Sequence, residues 1–279
     1  MPAQEFNWTS PDGIVFSACE WRPGVAPRAA VLLVHGLGEH MRRYEHVARA
    51  FNAAGVGMLA FDTRGHGKTG GPRGHFPSFD LVYDDIQHFL AETRSRYPGM
   101  PVFLYGHSLG GNLVLGFALK RKPELAGAIV TSPGLQPGTP LPAAKMTLAR
   151  LMARLAPAFT LANGLDVDNL STTPGLAAAY KADPLNHDRV SARLGMDLIE
   201  RGQWIIEHAA EFPLPLLLMQ GGADHLVSPR ATGLFAQAAP ADKITYRLVE
   251  AGYHELHNEP YSADIIQTMV DWMEKRITA

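Results

Sequence analysis

The sequence predicts an α/β fold: a mostly parallel central sheet of about eight strands, opened by an N-terminal hairpin, flanked by helices and carrying one helical insertion. Three observations predict it. Unbroken apolar runs such as Ala29–Val34 and Val56–Phe61 read as strands buried on both faces, the habit of parallel sheets. Segments with helical spacing alternate with them. Several runs end in glycine-rich polar loops, the edge at which open α/β sheets bind ligands.

Taken in order, 5–9 and 14–21 read as a hairpin around Ser10-Pro11-Asp12-Gly13, where Pro presets φ and Gly accepts a positive φ. A linker at 23–27 leads to the strand Ala29–Val34. That strand ends in His35-Gly36-Leu37-Gly38-Glu39-His40, followed by Arg43-Tyr44. A metal site at His35 and His40 lacks further ligands at the spacing it would need. A helix over 44–54 closes on Gly55, and the strand Val56–Phe61 leads into the polar loop 62–70. Gly65, Gly67 and Gly70 fit a dinucleotide fingerprint, but Gly71-Pro72-Arg73-Gly74 forbids the helix that must start there. Gly67-Lys68-Thr69 resembles the end of a phosphate loop, yet Asp62 stands where its first glycine is required. A loop bracing the sheet is the better reading. Ser78 caps a helix running to about Tyr97, with Val82, Ile86, Phe89 and Leu90 on its inner face.

The most informative stretch is 102–118, VFLYGHSLGGNLVLGFA. Residues 102–105 read as a buried strand, 106–110 match G-x-S-x-G, and Asn112 to Lys122 follows at helical spacing. This is the strand, sharp turn and helix of a nucleophile elbow, with Ser108 at the strained corner. Gly106 and Gly110 leave room for the close approach. The helix N-terminus offers N–H groups to a developing oxyanion.

After a short strand at 127–132 the character changes. Residues 134–212 carry several prolines and helical patterns without a convincing strand in 166–212, and are expected to form a helical cap. The core then comprises 1–133 and 213–279. Within the cap, Ala143–Leu155 is amphipathic, with Ala144, Leu148, Leu151, Met152 and Leu155 expected chiefly to pack on the domain below. Transient membrane or micelle contact through the cap is the other use of such a face. The sheet resumes at 214–220 and ends in Gly221-Gly222-Ala223-Asp224. A helix at Pro229–Ala238, the strand Ile244–Val249, the segment bearing His254 and His257, and a helix over 260–277 complete the chain.

Strand ends thus present Ser108, then Asp224, then His254, the chain order of an α/β-hydrolase triad. Asp224 would orient His254, which would act as base toward Ser108. His254 lies closer to its strand end than the rival His257. Asp197 and Asp242 follow no core strand, and Asn258 excludes a His-Glu-x-x-His zinc helix. The N–H groups of Leu37 and Leu109 are the expected oxyanion-hole donors.

With a net charge of −2, the chain has no basic field to attract nucleic acid. Cys19 stands alone, which excludes an intrachain disulfide and suits a reducing compartment. The first residues lack a signal-peptide pattern and no apolar run reaches the length of a membrane span, so a cytoplasmic location, with peripheral membrane contact at most, is expected.

These motifs carry a resemblance. HGLGEH…RRY at 35–44, DTRGHGKTGG at 62–71, YPGMPVFLYGHSLGG at 97–111, AYKADPL at 179–185, GGADHLV at 221–227 and YHELHNEP at 253–260 resemble the monoacylglycerol lipase and lysophospholipase group of serine α/β-hydrolases, over nearly the whole chain. The resemblance implies an α/β-hydrolase fold and a serine esterase that needs no metal or cofactor. It implies that Glu39, Arg43, Tyr180 and His257 line the glycerol end of the pocket, while the acyl chain runs along apolar cap residues such as Phe159 and Leu161. The expected reaction converts monoacylglycerol to fatty acid and glycerol through an acyl-Ser108 intermediate. Lysophospholipase or short-chain carboxylesterase activity is the alternative. A non-catalytic ligand-binding protein on the same scaffold is a distant one, since no triad member or elbow glycine is missing. Segment 137–169 departs most from the family pattern, which leaves the acyl length open.

Overall fold

The computed structural model describes residues 3–140 and 142–277. Eight strands form one sheet: β1 (Gln4–Thr9), β2 (Val15–Trp21), β3 (Ala29–Val34), β4 (Val56–Phe61), β5 (Val102–His107), β6 (Gly127–Thr131), β9 (Leu216–Gly221) and β10 (Ile244–Val249). Their order is β1-β2-β4-β3-β5-β6-β9-β10. β1, β2 and β4 pair antiparallel in succession, and all other pairs are parallel. The chain goes from β3 outward to β4 on one side and returns to β5 on the other. The ends of β3 and β5 therefore flank a topological switch point, where ligands of such sheets bind.

Side chains alternate across the sheet with period two, and each face is buried. Leu32 and Val34 of β3 point into one cluster, Val31 and Leu33 into the other. The first face is covered by α2 (Phe79–Arg96), α3 (Leu109–Arg121), α6 (Ala192–Glu207) and α7 (Pro229–Ala238), and the second by α1 (Glu45–Ala53) and α8 (Ser262–Ile277). Serine caps start three of these helices. Ser78, Ser191 and Ser228 accept the N–H groups of Leu81, Leu194 and Ala231, and Pro229 at the first turn of α7 forfeits only an N–H the helix would leave unpaired. The loop 62–70 braces the hairpin, as its composition suggested. Arg64 bridges Asp85 and Asp12, and Asp62 accepts the N–H groups of Met41 and Lys68.

Between β6 and β9 lie α4 (Ala143–Leu155), the strand β7 (Thr160–Ala162), α5 (Leu176–Ala182), the strand β8 (Arg189–Ser191) and α6. Two expectations need correction here. β7 and β8 pair antiparallel over three residues each, so 166–212 does contain a strand. A run that short has no readable alternation. The second concerns α4, which packs against α6 but buries none of its residues. Its half-buried positions are Met146, Ala149, Met152 and Ala153, whereas Leu148, Leu151 and Leu155 are 59%, 51% and 74% exposed. The contact face is thus rotated away from the leucine stripe. The lower end of α6 belongs to the core itself, with Ile205 packed near α3 and followed by Ala209 and Phe212 in the same cluster.

Candidate active site

The strand register aligns the ends of the parallel strands. Val34 pairs with Gly106, His107 with Thr131, and Gly221 with Val249, so the loops after β3, β5, β9 and β10 open on one edge. At the end of β5, Ser108 takes φ 54° and ψ −116°, a strained left-handed conformation. Three hydrogen bonds hold it there. Its N–H donates to the Thr131 carbonyl at 3.0 Å, and its carbonyl accepts from Gly134 N–H at 2.9 Å and Asn112 N–H at 3.0 Å. The elbow glycines are required by contact. A Cβ at Gly106 would lie 2.4 Å from the Gly110 oxygen, and one at Gly110 would lie 2.0 Å from the Val34 oxygen.

His254 Nε2 stands 2.9 Å from Ser108 Oγ, and His254 Nδ1 stands 2.8 Å from Asp224 Oδ2. His254, not His257, is therefore within reach of the serine. Asp224 Oδ1 accepts the N–H groups of Leu226 and Val227, and Gln220 Nε2 donates to Oδ2. Burial pushes the Asp224 carboxyl up, but the His254 charge and these hydrogen bonds hold it below its ordinary value. Burial also works against a charged His254, yet Asp224 first, then Glu255 and Glu39, leave its pKa raised. Of the rival acids, Asp197 is paired with Arg193 on α6.

The loop after β3 is held atom by atom. His35 Nε2 accepts the Thr63 N–H at 2.9 Å, so the neutral ring carries its proton on Nδ1 and donates to the Gly36 carbonyl at 2.8 Å. Burial keeps His35 neutral, with its pKa lowered to about 4. Gly36 N–H donates to Glu39 Oε1 at 2.6 Å. A Cβ on Gly36 would lie 3.2 Å from Ser108 Cβ, so the loop passes directly over the serine. Leu109 is the first residue of α3, and its N–H is one of the four that a helix leaves unpaired.

Behind this loop lies a charged cluster. Arg43 donates to Glu39 Oε2 at 2.6 Å and in a fork to Glu255 at 2.6 and 2.8 Å, and Tyr44 O–H donates to Glu39 Oε1 at 2.7 Å. Burial would raise the Glu255 carboxyl, but Arg43 overrides it and brings the pKa down to about 2. Tyr180 lies with its ring 4.8 Å from the Arg43 guanidinium.

A cavity of about 50 Å³ sits over Ser108 and His254, walled by Glu39, Tyr180, Leu165 and Leu226 among others. Of the four residues expected at a glycerol head, Glu39 and Tyr180 line it, and Arg43 stands behind them. His257 does not reach it. The short turn 256–258 buries its ring completely, stacked 4.6 Å from Tyr44 and edge-on at 4.8 Å to His107, which corrects the expectation for this residue. Phe159 and Leu161 also lie elsewhere, 52% and 59% exposed. The apolar wall comes instead from Leu165, Val167, Leu170 and Leu226. The sequence offered the cap leucines only as a group, without singling out Leu165 or Leu170, and it did not show Val167, Leu226 or the clamp by His35. Leu226 had a signal, standing within the motif that carries Asp224. The cap leucines had none beyond their apolarity.

Comparisons with known proteins bear on the family and the fold. The family described as serine aminopeptidase, S33, matches residues 25–261. The chain belongs to this family. It is a serine hydrolase of the α/β-hydrolase fold, and its relatives include monoacylglycerol lipases. The hydrolase is 31% identical to the monoacylglycerol lipase of Mycolicibacterium smegmatis over 91% of this chain and 90% of that one. It is 37% identical, over 99% of its length, to an uncharacterized abhydrolase domain-containing protein of Dictyostelium discoideum, of which it spans 30%. The crystal structure of Paleococcus ferrophilus monoacylglycerol lipase matches the hydrolase with a TM-score of 0.86 and 32% identity, covering 94% of this chain and 99% of that one.

Proposed function

We propose that the hydrolase cleaves carboxylic esters of single-chain lipids, monoacylglycerols foremost, into fatty acid and glycerol. The observation that carries this reading is the hydrogen-bonded chain Ser108–His254–Asp224 at the floor of a cavity with one polar and one apolar wall. Ser108 Oγ attacks the ester carbonyl while His254 Nε2 takes its proton. The Leu37 and Leu109 N–H groups receive the oxyanion. The tetrahedral intermediate collapses, and His254 returns the proton to the departing glycerol oxygen. Water, deprotonated by His254, then attacks the acyl-Ser108 ester; as that intermediate collapses His254 returns the proton to Ser108 Oγ, and fatty acid leaves. Asp224 keeps the Nδ1 proton in place throughout and supports the imidazolium. The alcohol portion occupies the wall of Glu39 and Tyr180, with Arg43 acting on it from behind, and the acyl chain follows Leu165, Val167, Leu170 and Leu226.

Residues 134–212, apart from the lower end of α6 and the turn after it, serve as the cap over this edge. The exposed Leu148, Leu151 and Leu155 give the cap a surface for transient membrane or micelle contact. No helix among the described residues is long and apolar enough to cross a membrane, and a cytoplasmic enzyme meeting lipid at the periphery fits that.

A lysophospholipid is the second reading. At the polar end Glu39 and Glu255 are both engaged with Arg43, and that guanidinium favours a neutral glycerol over the cationic head group of such a substrate. Aminopeptidase activity is disfavoured by the same cluster. Both carboxylates are engaged with Arg43, which leaves neither to receive a substrate α-amine. The mechanism is tested by Ser108→Ala, which should lower kcat on the order of 10⁶-fold, as in other triads, and abolish labelling by a fluorophosphonate probe. A variant that retains turnover would contradict it.

A further inference from the structure

We propose that Tyr180 is a positioning residue for the oxyanion loop, so that the placement of Leu37 N–H depends on the cap being seated. This rests on the ester-hydrolase reading above and goes beyond the assignment of Tyr180 to the alcohol wall. The observation is at Gly38. Its carbonyl oxygen accepts two hydrogen bonds from the cap, the Tyr180 O–H at 2.7 Å and the His187 N–H at 2.9 Å. The contact is close. Gly38 has φ 75°, and a Cβ there would lie 2.3 Å from the His187 oxygen and 3.0 Å from Tyr180 Oη. The cap segment is itself braced, since Asn186 Nδ2 donates to the Tyr180 carbonyl at 2.9 Å and His40 Nε2 stands 2.9 Å from Asp183 Oδ2.

Leu37 is thus pinned from both sides. On one side, the Gly36 carbonyl is held by His35 Nδ1–H and the Gly36 N–H by Glu39. On the other, the Gly38 carbonyl is held by the cap. A peptide unit is planar and trans, so holding the Gly36 carbonyl fixes the direction of the Leu37 N–H in the same plane. The cap bond at Gly38 then controls whether that plane can rock. A hydroxyl acting through the loop influences every ester the enzyme cleaves. One that only touches glycerol influences only glycerol esters.

The experiment compares wild type and Tyr180→Phe on monooleoylglycerol and on 4-nitrophenyl butyrate, which has no glycerol. The variant keeps the ring beneath Arg43 and deletes the bond to Gly38. kcat should fall by roughly 10-fold to 100-fold, the scale of a loosened catalytic geometry, and by the same factor on both esters. KM for the nitrophenyl ester should stay within about twofold, and inhibition by a boronic acid, whose adduct on Ser108 places an oxygen in the hole, should weaken in parallel with kcat/KM. A loss confined to monooleoylglycerol and expressed as a raised KM would overturn the proposal, as would unchanged kcat on both. If Tyr180→Phe does not fold at the assay temperature, Asn186→Ala loosens the segment that carries Tyr180 without altering the loop itself and is read the same way. A wild type with no Ser108-dependent ester turnover would sink this proposal and the ester-hydrolase reading together. An active wild type with an unaffected variant sinks only this one.

Discussion

Asp224 accepts four hydrogen bonds, from His254 Nδ1–H, the Gln220 amide and two backbone N–H groups. Its charge is the main reason that buried His254 keeps a raised pKa. Only neutral His254 can take the Ser108 proton, so kcat/KM should climb as pH rises through that pKa, with a midpoint above the ordinary histidine value of about 6.5. Asp224→Asn removes the charge that favours the imidazolium. The midpoint should therefore move to lower pH, while the plateau of kcat drops by about 10⁴-fold. A pH profile on a nitrophenyl ester checks both, and an unmoved midpoint would argue against Asp224 as the partner. At this scale much was legible. Ser108, Asp224 and His254 each stand just past a strand, and that placement separates Asp224 from Asp197 and Asp242, which follow no core strand. His257 was misread because its motif says nothing of ring direction, and a turn three residues long tucks it beneath Tyr44. His35 was legible only as a histidine after a strand. Its clamp on Gly36 needs Thr63, 28 residues away, to set the tautomer.

β3, β4, α4, α7 and β10 fall on the expected bounds, whereas α3 begins at Leu109, three residues before the expected Asn112. The elbow was equally readable because its glycines answer a steric demand. Gly110→Ala puts a Cβ 2.0 Å from the Val34 oxygen of a central strand, where neither backbone can yield. Overpacking of this kind should cost about 3 kcal/mol, measured by urea unfolding, and a variant as stable as wild type would show the approach to be looser. The phase of α4 was not legible. Helical spacing marks an apolar stripe but not its neighbour, and α6 takes the side bearing Ala149 and Ala153, where backbones can approach. Leu155→Ser should consequently change stability by no more than about 0.5 kcal/mol. A loss near 2 kcal/mol in the same unfolding experiment would mean that the leucine is covered.

At the scale of the molecule, one edge of one sheet gathers the chemistry. On the proposed mechanism the loop after β3 would receive the oxyanion, β5 brings the serine, β9 the aspartate and Leu226, and β10 the histidine, while the insertion between β6 and β9 brings Tyr180, His187, Leu165, Val167 and Leu170. The sheet order and the triad order follow from patterns local to each strand, which is why both could be read. The cavity could not, because it forms where segments more than a hundred residues apart in the chain meet, and no local periodicity encodes that meeting. On the proposed mechanism this edge hydrolyses single-chain lipid esters. The most direct test compares initial rates on monooleoylglycerol, trioleoylglycerol, lysophosphatidylcholine and 4-nitrophenyl butyrate, with Ser108→Ala as blank. Monooleoylglycerol should show strong Ser108-dependent turnover and trioleoylglycerol little. Ester turnover that survives in Ser108→Ala, or none on any of the four in wild type, would contradict that mechanism.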